Sequence, residues 1–504
     1  MVNGTETELK LAMEPHLLTK LSRLPALVPW KNGRSRTQIL HSTYFDTPEG
    51  DLRRAGISLR LRQHGRDWVQ TIKDDGERMS GLFQRREWEM VLAEPSLNLP
   101  HILATGLAVF RDDDLADRLH PVFTTQIQRR LYLLGTAQWD VEMAIDHGHV
   151  QTGDTKAELS EVELELKRGD ALALFDVASA IAAALPCRVQ VLSKSDRGFQ
   201  LAAGSIAKPV KALPVGLTPR METGAAFQAI ARNCLHQLQV NEGCLRGDHG
   251  EEAVHQMRVA LRRLRSALKL FKPMLKGTAL DEIKDELRWV LAHLGPARDG
   301  DVFLAEIITP VLCDHPDAPA LDSLRQQWQE RRDVDFTAAL SAIDEPRFTQ
   351  LLLRLGRWVA EARWLEQPSA HHRLDKFSAK VLKKAYTRMI EAGGDNLGHL
   401  PTAELHQVRI LGKQMRYAGE FFASLYPRAQ AKPFLTLMAE LQESLGTLND
   451  LAVAEQRLAR SHGQGDWAWA AGLVCGWHEA RRPQLLRDAQ ATWKKLRKTS
   501  PFWD

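Results

Sequence analysis

Hydrophobic and polar positions alternate with a period of two through most of residues 1–204. In Glu6-Thr7-Glu8-Leu9-Lys10, a strand reading puts Glu6, Glu8 and Lys10 on one face and Thr7 and Leu9 on the other. Ile57 to Arg62 sets Arg60 and Arg62 against Leu59 and Leu61. Trp68 to Lys73 is a further strand, and in Phe83 to Met90 the residues Arg85, Glu87 and Glu89 share a face. Gln126 to Leu134 carries Arg129 and Arg130, and as neighbours only one of them can face inward. Trp139 to Asp146 aligns Asp140, Glu142 and Asp146, while Glu161, Glu163 and Glu165 precede Lys167 on one side. Gly, Asp and Pro punctuate these segments, as at Tyr44-Phe45-Asp46-Thr47-Pro48. Ala171 to Leu185 is largely apolar, carries Asp176 and stops at Pro186, which predicts a short packed helix. Ser205 to Arg220 holds three prolines and a glycine and reads as an extended linker. From residue 221 to 504 the period is helical, with Gly and Pro at the breaks. The expected architecture is α+β and multidomain, with β structure over 1–204, a linker over 205–220 and an all-α remainder.

The charge on the strand faces is unusual. An amphipathic strand ordinarily buries its apolar face and wets its polar one. Here the polar faces carry both signs at high density. On an open sheet such pairs contribute only about 0–1 kcal/mol each. In a closed barrel alternate residues point into the lumen, where mixed charge is costly without an occupant. A polyphosphate with metal ions answers both signs, since cations hold phosphates and carboxylates hold a hard divalent cation. Taken alone, Glu6, Glu8 and Lys10 are better read as a solvated face with a paired lysine; the rest of the chain shifts that balance. The face pattern does not decide closure.

Size and composition narrow the partners. A chain of 504 residues suggests about two to four domains, and 44% hydrophobic with 26% charged residues is an ordinary globular balance. A net charge of +4 creates no global field that demands nucleic acid, so none is expected as a partner. Cys187, Cys234, Cys244, Cys313 and Cys475 form no CxxC pair or zinc spacing and read as reduced structural thiols. No basic segment followed by an apolar stretch opens the chain, and no run approaches the ~20 apolar residues of a membrane helix. A cytoplasmic protein without a membrane partner is therefore expected. His147 and His149 flank a turn and read as solvent-exposed rather than as a metal pair.

The helical part contains a repeat at an offset of 151 residues. His255-Gln-Met-Arg258 recurs as His406-Gln-Val-Arg409, Arg262 as Lys413, Arg265 as Arg416, Leu294-Gly295 as Leu445-Gly446 and Asp299 as Asp450. Two equivalent halves are expected, about 221–365 and 366–504. At 100° per residue, His255, Arg258, Arg262 and Arg265 fall within an arc of roughly 80°, as do His406, Arg409, Lys413 and Arg416. Lys376, Lys380, Lys383 and Lys384 add positive charge in the second half. One such stripe is explained by pairing with Asp299, Asp301 or Glu252; its recurrence favours a shared anion groove between the halves.

Glu6-x-Glu8-x-Lys10, Tyr44-Phe-Asp-Thr-Pro48, Leu59-Arg-Leu-Arg62, Thr71-Ile-Lys73, Arg85-x-Glu87-x-Glu89, Ala144-Ile-Asp146-x-Gly148, Glu161-Val-Glu163-Leu164 and Lys194-Ser-x-Arg197-Gly198 occur in the order seen in CYTH domains. The N-terminal part thus resembles the triphosphate tunnel metalloenzymes. That resemblance implies an eight-stranded antiparallel barrel whose tunnel binds triphosphate with Mg²⁺ or Mn²⁺. It implies Glu6, Glu8, Glu161 and Glu163 as metal ligands. Lys10, Arg60, Arg62 and Lys73 would act on the phosphates, with Asp146 beside the reacting one. Arg85, Arg129, Lys194 and Arg197 would hold the rest of the triphosphate. By His255-x-x-Arg258-x-x-x-Arg262-x-x-Arg265 and Gly295-x-x-Arg298-Asp299-x-Asp301-Val302, the helical part resembles a CHAD domain. Its second half departs from the pattern at Asn449 and Ala452, which stand where the first half has Arg298 and Asp301. This likeness implies two bundles with a basic channel for polyphosphate, lined by the two His/Arg stripes. The expected function is metal-dependent hydrolysis of inorganic triphosphate to diphosphate and phosphate, with an attached polyphosphate-binding module. Two alternatives stay open. One is a non-catalytic polyphosphate-binding or granule-associated protein. The other is a nucleotide or organic triphosphate enzyme of adenylyl cyclase or thiamine triphosphatase type, with Trp68 and Trp88 as candidate stacking residues.

Overall fold

The alternating segments are strands: β1 (Val2–Ala12), β2 (Lys31–Asp46), β3 (Ile57–His64), β4 (Asp67–Asp74), β5 (Glu77–Met79), β6 (Leu82–Leu92), β7 (His120–Gly135), β8 (Asp140–Thr152), β9 (Thr155–Arg168) and β10 (Arg188–Val189). They come from a computed structural model that describes residues 2–79, 81–112, 114–204, 207–277, 279–460 and 465–503; Ser205 and Ile206 of the expected linker lie outside the described residues. β1 pairs with β9 on one side and with β6 on the other, so the order β1-β9-β8-β7-β2-β3-β4-β6 closes into an eight-stranded antiparallel barrel. The short strands β5 and β10 extend β6 and β1. Closure removes the sheet edges and turns one face of every strand inward.

Register then brings opposite charges face to face. Glu6 lies across from Arg85, Lys10 from Glu163, Lys73 from Glu87 and Arg129 from Asp146. Further along the same inward faces the residues become apolar: Leu40, Phe123, Ile127, Val150 and Leu159 pack with Tyr44 and Phe199. The lumen is therefore plugged by a hydrophobic cluster along one stretch and lined by charge along the next.

The outward faces of β1 and β9 carry Leu9, Leu11, Val162 and Leu164, all fully buried. Helix Leu172–Ala184 packs against both strands, as its apolar sequence predicts. Helix Pro346–Glu361 packs on that helix in turn. Thr349 Oγ1 donates to the Cys187 carbonyl at 2.7 Å, Gln350 Nε2 to the Ser179 carbonyl at 3.0 Å, and Arg357 pairs with Asp176. Residues 343–361, inside the span read as the first helical repeat, thus belong to the barrel unit together with 246–249.

The second unit comprises residues 210–245, 250–342 and 362–504 and is helical. Helix Thr223–Glu242 pairs with Gly250–Leu270, and Leu374–Gly393 pairs with Thr402–Phe422. In Gly250–Leu270 the apolar stripe Val254, Met257, Leu261, Leu264 and Leu268 is buried. All five cysteines are free, and burial pushes the Cys187 thiol up to about 12 and that of Cys234 to about 11, which makes both poor nucleophiles. Among the described residues no helix is long and apolar enough to cross a membrane.

Helix Lys194–Ala202 starts with a capping box, in which Ser193 Oγ accepts from the Asp196 amide at 3.1 Å and Asp196 from the Ser193 amide at 2.8 Å. Its Gly198 lies flat against the Phe123 ring; an added Cβ would sit 2.0 Å from Phe123 Cε2. Phe123 cannot yield freely, because it stacks on Tyr44 at 4.5 Å and meets Phe199 edge-on at 5.1 Å. Gly198→Ala is expected to destabilise the barrel by roughly 1–3 kcal/mol. Urea denaturation followed by intrinsic fluorescence checks this, and a midpoint equal to that of the unaltered protein contradicts it.

Candidate functional site

The charged stretch of the lumen encloses a cavity of about 180 Å³. Among the described residues it is lined by the cations Lys10, Arg60, Arg62, Lys73, Arg85, Arg129, Lys167 and Lys194 and by the carboxylates Glu6, Glu8, Glu87, Glu89, Glu142, Glu163 and Glu165. The near balance of sign distinguishes it from a simple anion pore.

Glu163 is the hub. It accepts from Lys10 and Arg129, and from Lys194 Nζ at 2.7 Å. Lys194 Nζ also lies 2.6 Å from Glu161 Oε1 and 2.8 Å from Asp146 Oδ2. Arg129 grips Asp146 with two bonds, from Nε at 2.8 Å and from Nη2 at 2.6 Å. On β1, β4 and β6, Lys73 Nζ lies 2.6 Å from Glu6 and 2.8 Å from Glu87. Arg85 donates to Glu6 at 3.1 Å and also to Glu8, while Lys10 lies 3.2 Å from Glu8.

These contacts set the ionisation states. Burial alone would raise the carboxyl pKa of Glu163, but Lys10, Lys194 and Arg129 hold it well below the usual range. Glu6 and Asp146 are likewise depressed against the effect of burial, Glu6 by Lys73 and Arg85, Asp146 by Lys194 and Arg129. Burial opposes the charge on Lys194 and Lys10, yet their carboxylate neighbours raise both. Two cations differ. Arg60 comes no closer than 4.0 Å to a carboxylate, Glu89, and Arg62 contacts Ser42 Oγ at 3.1 Å. Burial, then Arg60 and Arg129, push Arg62 down to about 9. Arg60 and Arg62 in turn lower the Tyr44 phenol against its burial.

Asp146, Glu161 and Glu163 place one carboxylate oxygen each within 4.8 Å of one another. Glu161 Oε2 is buried and accepts no hydrogen bond. An all-oxygen donor set with an unsatisfied member suits a hard divalent cation, and the Lys194 ammonium, in contact with all three carboxylates, already occupies a cationic position there.

In the helical unit the repeat is preserved in space. Arg258 Nη2 lies 3.3 Å from Asp299, and Arg409 Nη2 lies 3.8 Å from Asp450, the same pair 151 residues on. Arg262 and Lys413, also equivalent, have no carboxylate within 4.0 Å among the described residues. The two stripes sense each other: burial, then Arg409 and Arg262, push the Lys413 ammonium down to about 7. Arg258 is pushed to about 10 by burial and Arg262. His255 is lowered by burial and Arg298; His406 meets Asn449 Oδ1 at 2.6 Å, where the repeat has lost that arginine. Arg265 is exposed, and Arg416 pairs with Glu420 at 2.7 Å.

Comparison with known proteins agrees with both geometries. The family described as "CYTH domain" fits residues 4–199, and "CHAD domain" fits residues 229–459. The solved CHAD domain from the plant Ricinus communis is 32% identical, with a TM-score of 0.50, and the match covers 57% of this chain and 96% of that one. The chain is a CYTH–CHAD protein. Its CYTH part is 31% identical over 196 residues to an inorganic triphosphatase of Haemophilus influenzae; that match covers 39% of this chain and 54% of the relative, so the chain spans about half the relative's length. A protein of Mycobacterium tuberculosis described as uncharacterised is 26% identical over 490 residues, covering 92% of this chain and 91% of that one.

Most of the CYTH residues singled out from the sequence meet at the cavity. Asp146 and Glu161 lie just behind its wall, fully buried. Glu6 and Glu8 join cations rather than the three-carboxylate cluster. Of the two adjacent arginines, Arg129 faces inward and Arg130 is exposed. Arg197 is peripheral: it donates to the Glu158 carbonyl and lies 3.7 Å from Glu161 Oε2. Trp88 packs outside the cavity among Leu59, Ile72 and Phe110, and neither it nor Trp68 lines the lumen. Glu142, Glu165, Lys167 and Tyr44 line it without having been assigned a role; the same two-residue period that flagged their neighbours marks all four.

Glu163→Gln leaves three buried cations short of a carboxylate and is expected to cost roughly 3–5 kcal/mol. Because the folded-state pKa values of Glu6, Asp146 and Glu163 are depressed, their contribution to stability is complete above the ordinary carboxyl values of 3.8 to 4.5 and is lost as pH falls through the lower folded values. Denaturant midpoints measured between pH 7 and pH 3 should fall in acid, and less steeply for Glu163→Gln. Equal slopes would count against the hub.

Proposed function

We propose that the CYTH tunnel hydrolyses inorganic triphosphate to diphosphate and phosphate and that the CHAD unit binds inorganic polyphosphate. The observation that carries the first half is the asymmetry among the tunnel cations. Lys10, Lys73, Arg85, Arg129 and Lys194 are already matched by carboxylates, whereas among the described residues Arg60 and Arg62 lack a close one. Two under-neutralised guanidiniums opposite an acidic cluster call for an anion that brings its own cations.

Arg60 and Arg62 hold the phosphoryl oxygens through their planar forks. Lys10, Lys73 and Arg85 exchange part of their carboxylate contacts for phosphate and stabilise charge on the departing diphosphate. Asp146, Glu161 and Glu163, with Glu6 and Glu8 nearby, hold the divalent ion, Mg²⁺ or Mn²⁺. Held by these residues, such an ion would supply Lewis-acid neutralisation of phosphate charge and a more acidic water. The reaction is an in-line displacement by water. Ser58, Ser193 and Ser195 line the cavity, and among the described residues no histidine lines it beside them. The charged lining and absent tryptophans favour a bare phosphate chain over ATP or thiamine triphosphate.

Phosphate release from triphosphate, ATP and thiamine triphosphate with Mg²⁺ or Mn²⁺ tests the reading. Triphosphate should be turned over fastest. Arg62→Ala should lower kcat/KM by roughly 10- to 150-fold, the loss of one or two hydrogen bonds to a charged group. Binding without turnover would leave the tunnel a phosphate grip, the non-catalytic alternative.

For the CHAD unit, the carrying observation is that Arg262 and Lys413 have no carboxylate within 4.0 Å among the described residues and act on one another's charge across the repeat. Bound polyphosphate favours the charged Lys413, whose value of about 7 means that binding above pH 7 takes up a proton. Affinity for long-chain polyphosphate should rise as pH falls from 8 to 6, and Lys413→Ala should flatten the profile. Calorimetry in buffers of different ionisation enthalpy reads the proton directly; observed heats that do not change with the buffer's ionisation enthalpy would count against this assignment. Association with polyphosphate granules would follow from such binding.

A further inference from the structure

The helical unit contains a second kind of cavity. It lies where the end of helix Gly250–Leu270 meets helices Leu374–Gly393 and Thr402–Phe422, and it encloses about 550 Å³, against about 180 Å³ in the tunnel. Its floor is apolar. Phe271 and Phe377 stack at 5.0 Å, and Leu411 continues the surface. Its rim is cationic. Lys380, Lys384 and Arg388 recur at a spacing of four along one helix, so they share a face, and Lys272 stands on a neighbouring segment. All four are exposed, and among the described residues none has a carboxylate within 4.0 Å or a side-chain hydrogen bond.

The two features restrict the occupant from opposite directions. A bare polyphosphate answers the rim but leaves a 550 Å³ apolar floor in contact with water. A neutral hydrophobe fills the floor but leaves the clustered cations without a counter-charge. A molecule with an apolar body and an anionic head satisfies both, and the volume falls within the usual range of about 300–1,000 Å³ for small-molecule sites. From this complementarity we infer that the helical unit binds a single-chain anionic amphiphile. Its hydrocarbon chain lies over Phe271, Phe377 and Leu411, and its carboxylate or phosphate head meets Lys380, Lys384 and Arg388. This site is independent of the tunnel reaction. Of the four lysines on this helix, Lys380 and Lys384 rim the cavity, whereas Lys376 and Lys383 do not.

The test is calorimetric titration of the full chain with dodecanoate and with dodecyl phosphate, both below their micellar concentrations. Dodecyltrimethylammonium, acetate and inorganic phosphate serve as comparisons. One saturable site per chain is expected for at least one of the two anionic amphiphiles, and the pair distinguishes a carboxylate from a phosphate head. The comparison compounds should bind at least tenfold more weakly. Ala385→Trp, which fills the cavity, and the surface pair Lys380→Glu with Lys384→Glu should each weaken binding tenfold or more while leaving triphosphate turnover unchanged. Equal binding of the cationic amphiphile overturns the inference, as does affinity unaltered in the charge-reversed variant. The charge-reversed variant lies on the surface, so it remains informative if Ala385→Trp fails to fold.

Discussion

Burying Glu163 among three cations is the constraint on which the barrel turns. Taking a carboxylate or ammonium out of water costs several kcal/mol per ion, and strand closure imposes that cost on every inward position of the charged stretch. The cost is offset only because the register sets Lys10 and Arg129 beside Glu163 and helix Lys194–Ala202 delivers a third cation to the same point. What the network does not satisfy is concentrated: one oxygen of Glu161, and the guanidiniums of Arg60 and Arg62. Those residual demands are where a metal-bearing anion fits.

The hydrophobic parts of the barrel serve that network. The cluster around Phe123 and Tyr44 fills the lumen beside the charges, excludes water from one side and anchors the helix that carries Lys194. Outside, Leu9 and Leu11 alternate with Glu8 and Lys10, so packing helix Leu172–Ala184 on the apolar face fixes which way the acidic face points. A one-residue slip of β1 would exchange the two sets, which ties the charge arrangement to the core.

The two units differ in their electrostatics. In the lumen cations and carboxylates are nearly equal in number, which suits a small anion arriving with metal. Along the repeated helices Arg262 and Lys413 have no carboxylate within 4.0 Å among the described residues, which leaves that stripe with excess positive charge. Burial, then Arg409 and Arg262, lower the Lys413 ammonium to about 7. The apolar cavity with its lysine rim adds a third environment, distinct from both.

Much of this was legible in the chain itself. A period of two with charge on one face named the strands, and the offset of 151 residues named the helical repeat, because side-chain direction follows directly from local backbone geometry. The charged residues of β1, β3, β4, β6, β8 and β9 could be picked out for the same reason. Partnership was not legible. That Glu163 rather than Glu6 gathers the cations, that Arg129 and not Arg130 turns inward, and that Arg197 stays peripheral depend on pairings between strands distant in sequence. The packing of residues 343–361 against the barrel, and the meeting of Phe271, Phe377 and Leu411 under a basic rim, likewise join segments whose local patterns carry no mark of each other. Local periodicity determines the face a residue occupies; only the closed sheet and the packed helices decide what stands opposite.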